Sequence, residues 1–383
     1  MPAVALPARA QGAPAGLLPT VLREWAAVDA LAPEWNGLLR RSAADSIFLT
    51  WEWVAAWREA ASAPVPPLVV TVRDPAGMLV GLGPFYRTRL RLAGLLPYRT
   101  LRVLGDDPTG AEYPDWIALR ERQAEVARAI AAALAAAGDW DCLWMPRVAG
   151  WTGARERIRE AAQAAGLHVR SRAKPFSSVP LPATAEAYRS ALSAKTRKNV
   201  RRDTDKILGR AGVRFVSCGS ADELPRFLDA LFRLHHDRWM RKGEEGTFRR
   251  KPAGARFYAR FAPRALEQGW LRLHGIEDQG ELKAVQVGYV YGSVFHALQE
   301  GFDPAYTAGV GNVLRARVLE ECIASGLASY DFLGGITPHK ERWLAAPRDG
   351  YDLLLGRRNL RNALVFWRPL WPGGRFLRPA ASP

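Results

Sequence analysis

Cysteine is scarce in this chain of 383 residues: Cys142, Cys218 and Cys322 are the only three, and they lie far apart. Their spacing suits neither a metal-ligand cluster nor a disulfide framework, which fits a reducing compartment. Acid is short as well, with 38 Asp and Glu against 54 Lys and Arg, for a net charge of +16. Long apolar runs are missing. AIAAALAAAGDWDCLW is rich in alanine but is broken by Gly138 and Asp139, so it reads as a packed helix and not as a membrane span. The first 20 residues carry one charge and lack a basic start followed by an apolar core. They read as a flexible tail, not a secretory signal. No helix-turn-helix, zinc-finger or basic-zipper spacing occurs, which argues against a reader of duplex DNA. The expected location is the cytoplasm, including the inner face of its membrane.

What is present is globular. Hydrophobic residues make up 48% of the chain and charged residues 24%, and the length suits two domains. The pattern predicts a mixed α/β fold with largely antiparallel sheets and flanking helices. After the tail at 1–20, a first domain is expected at 21–182 and a second at 183–383. Pro180, Pro182 and the following TAEAYRSAL mark the boundary. Each half runs through helices, an antiparallel meander, a helix and a closing strand. In the second half the meander is WLRLHGIED, ELKAVQVGYVYG and SVFHALQEGF, and SYDFLG is the strand that follows a helix from about Gly311 to Ser325. One helix is expected from about Ala185 to Arg210.

Positive charge is concentrated twice. SAKTRKNVRRDTDKILGR places Lys195, Lys198 and Arg202 on one helical face, and the tail after Asp352 carries arginines with no acid. Such fields attract phosphates of many kinds. Lys195, Lys198 and Arg202 are therefore candidates for a phosphorylated glycan precursor, a tRNA acceptor stem or an anionic membrane surface, with a solvated helix as the plain alternative.

The most informative stretch is GFDPAYTAGVGNVLRARVLEECIASGLASYDFLGG, residues 301–335. Gly309 and Gly311 permit close approach to the start of a helix whose first N–H groups have no partner within it. That end can cradle an anion, with Arg315 and Arg317 adding charge, or it can be an ordinary packing corner. It lacks the Gly-Lys-Ser/Thr of a P-loop and the G-x-G-x-x-G of a dinucleotide site.

Several segments, in order, resemble the cellulose-biosynthesis-type acetyltransferases of the GCN5-related N-acetyltransferase (GNAT) superfamily. They are FLTWEWVAAW, SAKTRKNVRR, LFRLHHDRWMRKGEEGTF, the 301–335 stretch and HKERW, covering most of residues 45–345. A more distant similarity is to the peptidoglycan-bridge aminoacyltransferases, which draw on aminoacyl-tRNA. The resemblance implies tandem acyl-CoA N-acyltransferase domains and an acyl-CoA co-substrate, acetyl-CoA in the simplest case. Its pyrophosphate would rest on Gly309, Val310, Gly311 and Asn312, although Tyr306-Thr307-Ala308 stands where the superfamily usually has arginine or glutamine. The implied acceptor is a small molecule or glycan precursor bearing an amine or hydroxyl. The resemblance also implies that Asp331 faces that acceptor and that Lys340 binds an anion or the acyl carbonyl; a structural Asp–Lys pair is the rival.

Acyl transfer needs a route for the acceptor's proton and stabilisation of an oxyanion, and no metal. Glu300, Asp303 and Tyr306, at the end of the strand before the turn, are candidates for base and acid. Asp303-Pro304 is also a good turn former. His235, His236 and Trp239 are candidates for the acceptor side. No nucleophile motif appears, so the expected transfer is direct, without a covalent intermediate. The alternatives are an aminoacyl-tRNA-dependent transferase of the peptidoglycan-bridge type and, from Tyr306-Thr307-Ala308, a non-catalytic scaffold on a decayed transferase fold.

Overall fold

A computed structural model describes residues 16–241, 243–368, 370–374 and 376–379. The chain divides into two compact units. The first comprises Met1–Asp106, Ala111–Lys174 and Asp349–Pro383; the second comprises Asp107–Gly110 and Pro175–Arg348. The segment after 348, expected in the second domain, thus belongs to the first unit. Most of the tail at 1–20 lies outside the described residues.

The first unit begins with β1 (Leu18–Leu22), α1 (Trp25–Asp29), α2 (Ala32–Arg40) and α3 (Trp51–Ala60). Thr50 caps α3, its hydroxyl accepting from the Trp53 N–H. The meander β2 (Pro67–Arg73), β3 (Leu79–Leu92) and β4 (Leu96–Val103) follows, and then the short β5 (Ile117–Ala118). The alanine-rich run forms α4 (Gln123–Ala137), closed by Gly138 at φ +75°, a conformation that favours glycine. Next come β6 (Cys142–Ala149), α5 (Ala154–Ala164) and β7 (His168–Ala173).

The second unit opens with β8 (Phe176–Pro180). The sequence suggested one continuous strand region here, but the chain changes sheets at Lys174-Pro175: β7 lies in the first sheet and β8 in the second. The expected single helix from Ala185 is two, α6 (Ala185–Ala191) and α7 (Ala194–Leu208). Ser193, between them, caps α7 by accepting from the Thr196 N–H. Then come β9 (Val213–Ser217), α8 (Leu224–Met240), α9 (Thr247–Arg250), α10 (Pro252–Glu267), β10 (Leu271–Asp278), β11 (Glu281–Tyr291) and β12 (Val294–Phe302). The unit ends with α11 (Val310–Ala324), β13 (Ser329–Gly334), α12 (Pro338–Glu341) and β14 (Ala346–Arg348). The chain then supplies β15 (Gly350–Gly356), α13 (Leu360–Trp367) and β16 (Leu377–Pro379) to the first unit.

The two sheets share one plan. The first runs β1-β2-β3-β4-β6-β15-β7, with β5 and β16 also on β3; the second, read from β9, runs β9-β10-β11-β12-β13-β8-β14. Each contains one parallel pair, β4–β6 and β12–β13, at the same place in the order. In each, the strand after that pair's second member comes from a distant part of the sequence, β15 or β8. The expected tandem repeat of one mixed α/β topology is therefore what the molecule has.

In the second unit α11 is buried on several faces, through Val310, Val313, Leu314, Val318, Leu319 and Ile323. This exceeds the single apolar stripe of a surface helix. It packs with Tyr188, Ile207, Phe295, Tyr330 and Trp343 in one core. That burial fixes the position of the helix start.

Candidate active site

β12 and β13 pair only through Val294↔Ser329, Phe295↔Tyr330 and His296↔Asp331. Beyond His296 the two strands have no further pairs. On its other side, the register of β12 against β11 skips Leu298, a bulge that redirects the local backbone groups. A cleft of about 210 Å³ occupies this region, lined among others by Leu298, Gln286, Tyr330, Lys340 and His339. Helix α8 adds His235, Arg238 and Trp239, whose i, i+3, i+4 spacing puts them on one face.

A second cleft of about 310 Å³ lies at the start of α11, lined by Asp303, Thr307–Asn312, Arg241 and others. Arg238, Glu300, Arg315 and His339 line both clefts and so form their common wall. Glu300 accepts from Arg238 Nη1 at 2.9 Å and also from Arg315 Nη2. Burial alone would raise its pKa, but the charges of Arg315 and Arg238 outweigh it and hold the carboxyl below its ordinary value. With both oxygens engaged, Glu300 is a charged anchor and a poor proton acceptor.

Several polar atoms at the first cleft are buried without a hydrogen-bond partner among the described residues: Gln286 Oε1, His235 Nδ1 and Arg315 Nε. Gln286 already donates from Nε2 to the Tyr330 hydroxyl at 2.6 Å. His235 accepts at Nε2 from Trp239 Nε1 at 3.1 Å, and burial lowers its pKa to about 4. The neutral ring therefore carries its proton on Nδ1. The His339 ring, on α12, is drawn partly out of water at the clefts and lies near Arg315, and both effects lower its pKa. It is unprotonated at neutral pH.

The turn before α11 has a structural account as well as a chemical one. Gly309 sits at φ +95°, and a Cβ there would lie 2.5 Å from Asp203 Oδ2. A Cβ on Gly311 would lie 2.9 Å from the Phe302 ring. Both positions thus need glycine for packing. The first helical N–H groups remain relevant: Asn312 and Val313 turn back to Gly309 O, while the Gly309 and Gly311 N–H groups have no backbone acceptor among the described residues. Those donors and the helix dipole favour negative charge at this cleft.

The residues singled out from sequence do not all converge. Glu300, Asp303, Arg315, the turn Gly309–Asn312, His235, Trp239 and Lys340 line one or both clefts. Asp303 caps its own turn, accepting from the Ala305 N–H at 2.8 Å. Lys340 donates from Nζ to the carbonyls of Phe332, Gly334 and Gly335 at 2.9, 2.6 and 3.0 Å, tying down the end of β13. Asp331 lines neither cleft. It is buried, accepts from the Leu333 N–H at 2.8 Å and lies 3.6 Å from His296 Nδ1. Leu333 has φ +61°, so this contact supports a strained exit from β13. Tyr306 lines neither cleft and donates to Asp278 at 2.8 Å. His236 is absent from both linings. Lys195, Lys198 and Arg202, on α7, contribute to neither; Lys198 and Arg202 line a separate groove of about 850 Å³ with Arg189, Arg197 and Arg201. Arg238, Gln286 and His339 escaped the sequence reading. For Arg238 the helical spacing from His235 was an available signal.

Among the described residues no group of three or more His, Cys, Asp or Glu side chains could hold a metal ion, and no helix is long and apolar enough to cross a membrane.

Residues 194–341 match the family model of an acetyltransferase (GNAT) domain. That segment runs from the start of α7 to the end of α12 and contains every residue lining the two clefts. No curated protein matches the chain. Among solved structures, it is similar to FemX at 11% identity and TM-score 0.60, over 88% of this chain and 98% of that one. It is also similar to the C-terminal domain of a putative lysylphosphatidylglycerol synthetase from Agrobacterium fabrum, at 11% identity and TM-score 0.50, over 88% and 94%. At such identities the likeness is one of fold.

Proposed function

We propose that the protein is an acyltransferase that moves an acyl group, acetyl in the simplest case, from coenzyme A to an amine or hydroxyl. The acceptor class we favour is an envelope or exopolysaccharide precursor. The observation that carries this reading is the common wall of Arg238, Glu300, Arg315 and His339 between a cleft at a helix N-terminus and a cleft at a strand splay.

The residues fit such a donor. The N–H groups at Gly309 and Gly311, with Arg238 and Arg241, suit the coenzyme's phosphates. The thioester would then reach the splay, where backbone N–H groups of the Leu298 bulge can donate to its carbonyl oxygen as negative charge develops there. The acceptor enters the first cleft beside His235, Trp239 and Gln286. As its nitrogen or oxygen attacks the carbonyl carbon, His339 takes the proton; the carbon–sulfur bond then breaks and the thiolate leaves. His339 is placed for this because it lines both clefts. Direct transfer is favoured by the thiols: burial pushes those of Cys142 and Cys322 up to about 12, far from a reactive thiolate.

An aminoacyl-tRNA donor is the second reading, favoured by the arginine-lined groove on α7. Calorimetric titration with acetyl-CoA and with aminoacyl-tRNA separates the two. Saturable acetyl-CoA binding, weakened by Asn312→Asp, supports the first reading; no binding of acetyl-CoA with tight, salt-sensitive tRNA binding overturns it.

A further inference from the structure

The basic tail holds a feature that acyl transfer does not use. Helix α13 is seated on the first unit by Val365 and by Asn362, both fully buried. Asn362 donates from Nδ2 to the carbonyls of Asp141 and Arg357 at 2.7 and 2.6 Å. Arg170 closes the other end by donating to the Val365 carbonyl at 3.1 Å and to that of Phe366. The helix is therefore fixed in rotation.

Its opposite face is apolar and open to solvent. Leu360, Leu364 and Trp367 are 93%, 47% and 77% exposed, and their i, i+4, i+7 spacing aligns them in one stripe. A soluble surface helix normally turns such a stripe inward. Strand β16 places exposed Phe376 beside the β3–β4 hairpin, where the Phe376 carbonyl accepts from the Ala93 N–H at 2.8 Å. The tip of that hairpin is Leu95, 79% exposed, and Leu96. Leu90 and Leu92 of β3, Leu377 of β16 and Val365 of α13 share one small core, so the three segments belong to one rigid patch.

The charge that the segment after Asp352 brings to this patch is of one sign. Arg357, Arg358, Arg361 and Arg368 bracket the stripe, and no Asp or Glu follows Asp352. Arg361 falls on the helix beside the apolar stripe and not opposite it, and Arg368 follows the last helical residue with its guanidinium 5.6 Å from the Trp367 ring. Arg357 is held to the Gly138 carbonyl at 2.5 Å and Arg361 lies 3.8 Å from buried Asp141, whereas Arg358 and Arg368 are exposed. Leucine and tryptophan on one side with arginine along the flank is the composition that suits the boundary between headgroups and acyl chains.

We propose that this face docks the protein onto an anionic lipid bilayer, with Leu360, Leu364 and Trp367 entering the headgroup region and the arginines pairing with lipid phosphates. A second copy of the chain suits the face poorly, because a two-fold contact would set the arginine flank against itself.

The test is co-sedimentation of the full chain with phosphatidylcholine vesicles, with and without phosphatidylglycerol. Expected is sedimentation only with phosphatidylglycerol, reduced by added salt. Arg358→Ala and Arg368→Ala should each weaken it roughly fivefold. The double variant Leu360→Glu, Trp367→Glu should abolish it, with an unchanged circular dichroism spectrum and melting temperature, since neither side chain is in a core. Leu364→Gln gives a milder probe of the same face and should weaken binding in part. Sedimentation indifferent to phosphatidylglycerol, or equal for wild type and the double variant, overturns the proposal. So does a dimer in light scattering that Trp367→Glu splits, which would assign the face to a second copy.

Discussion

Arg238 donates to Glu300 at 2.9 Å, and so links helix α8 to the strand that borders the candidate donor cleft. Glu300 is shared with the buried Arg315, so its loss strands a positive charge inside the unit. Glu300→Gln should lower unfolding stability by about 3–5 kcal/mol, read from urea denaturation. Adding Arg315→Met should recover a substantial part, because both halves of the buried pair are then gone.

The same pair sets an acid limit. The folded pKa of Glu300 is depressed, so its stabilising contribution is present above the unfolded value of 4.5 and is lost as pH falls through the folded value. His235 and His274 act at higher pH. Both are buried, and burial is the largest cause that lowers each from 6.5 to about 4, so the unfolded chain takes up protons first as pH falls between those values. The melting temperature should therefore decline from pH 6.5 toward pH 4. The double variant with glutamine at these positions should show a flatter profile over that range.

His339→Ala should lower kcat roughly 10²–10⁴-fold with coenzyme affinity retained, as expected for loss of a proton acceptor. Asp331→Asn, by contrast, keeps an oxygen for the Leu333 N–H and should leave turnover within about tenfold of wild type. Steady-state kinetics on both variants compares the two sites. Full activity in His339→Ala removes the imidazole from the chemistry.

At the α11 turn, packing and binding can be separated. Gly311→Ala should cost about 1–3 kcal/mol through the Phe302 contact. Asn312→Asp adds charge at the same cleft without that clash, and should weaken coenzyme A binding about tenfold at near-normal stability. Calorimetry and thermal melts on the two proteins check both statements.

Much of this layout was legible in the sequence because local signals agreed with it. SYDFLG reads as a strand and is β13, and the three strands of the meander are β10, β11 and β12. The two sites of failure have a physical cause. GYDLLLG is β15, flanked by Ala149 and Leu143 partners on β6 and by β7, yet it looks like a scrap of tail because its partners lie some two hundred residues earlier. At the site, Asp331 and Tyr306 carry suitable chemistry but are turned to local partners, Leu333 and Asp278. His339 lies on a four-residue helix with no periodicity to announce it. Orientation at strand ends depends on bulges and splays, and those leave little trace in residue type.

Deleting Asp349–Pro383 should unfold the first unit and not merely trim it. The deletion takes β15 from between β6 and β7, together with the core residues Leu353, Leu354 and Leu355. Limited proteolysis should then cut within 16–106 and 111–174 while 175–348 persists. Survival of both units would show that β6 and β7 can close without β15.

β15 also imposes an order in time. A ribosome delivers residues 1–174 long before it delivers Gly350–Gly356, so the earlier sheet must wait, with an open seam between β6 and β7, while the later unit is made. The usual sequence in which an N-terminal domain completes itself first is reversed. During that interval the seam is an unpaired edge able to capture the wrong strand, and nascent chains should depend on chaperone cover until Gly350–Gly356 emerges.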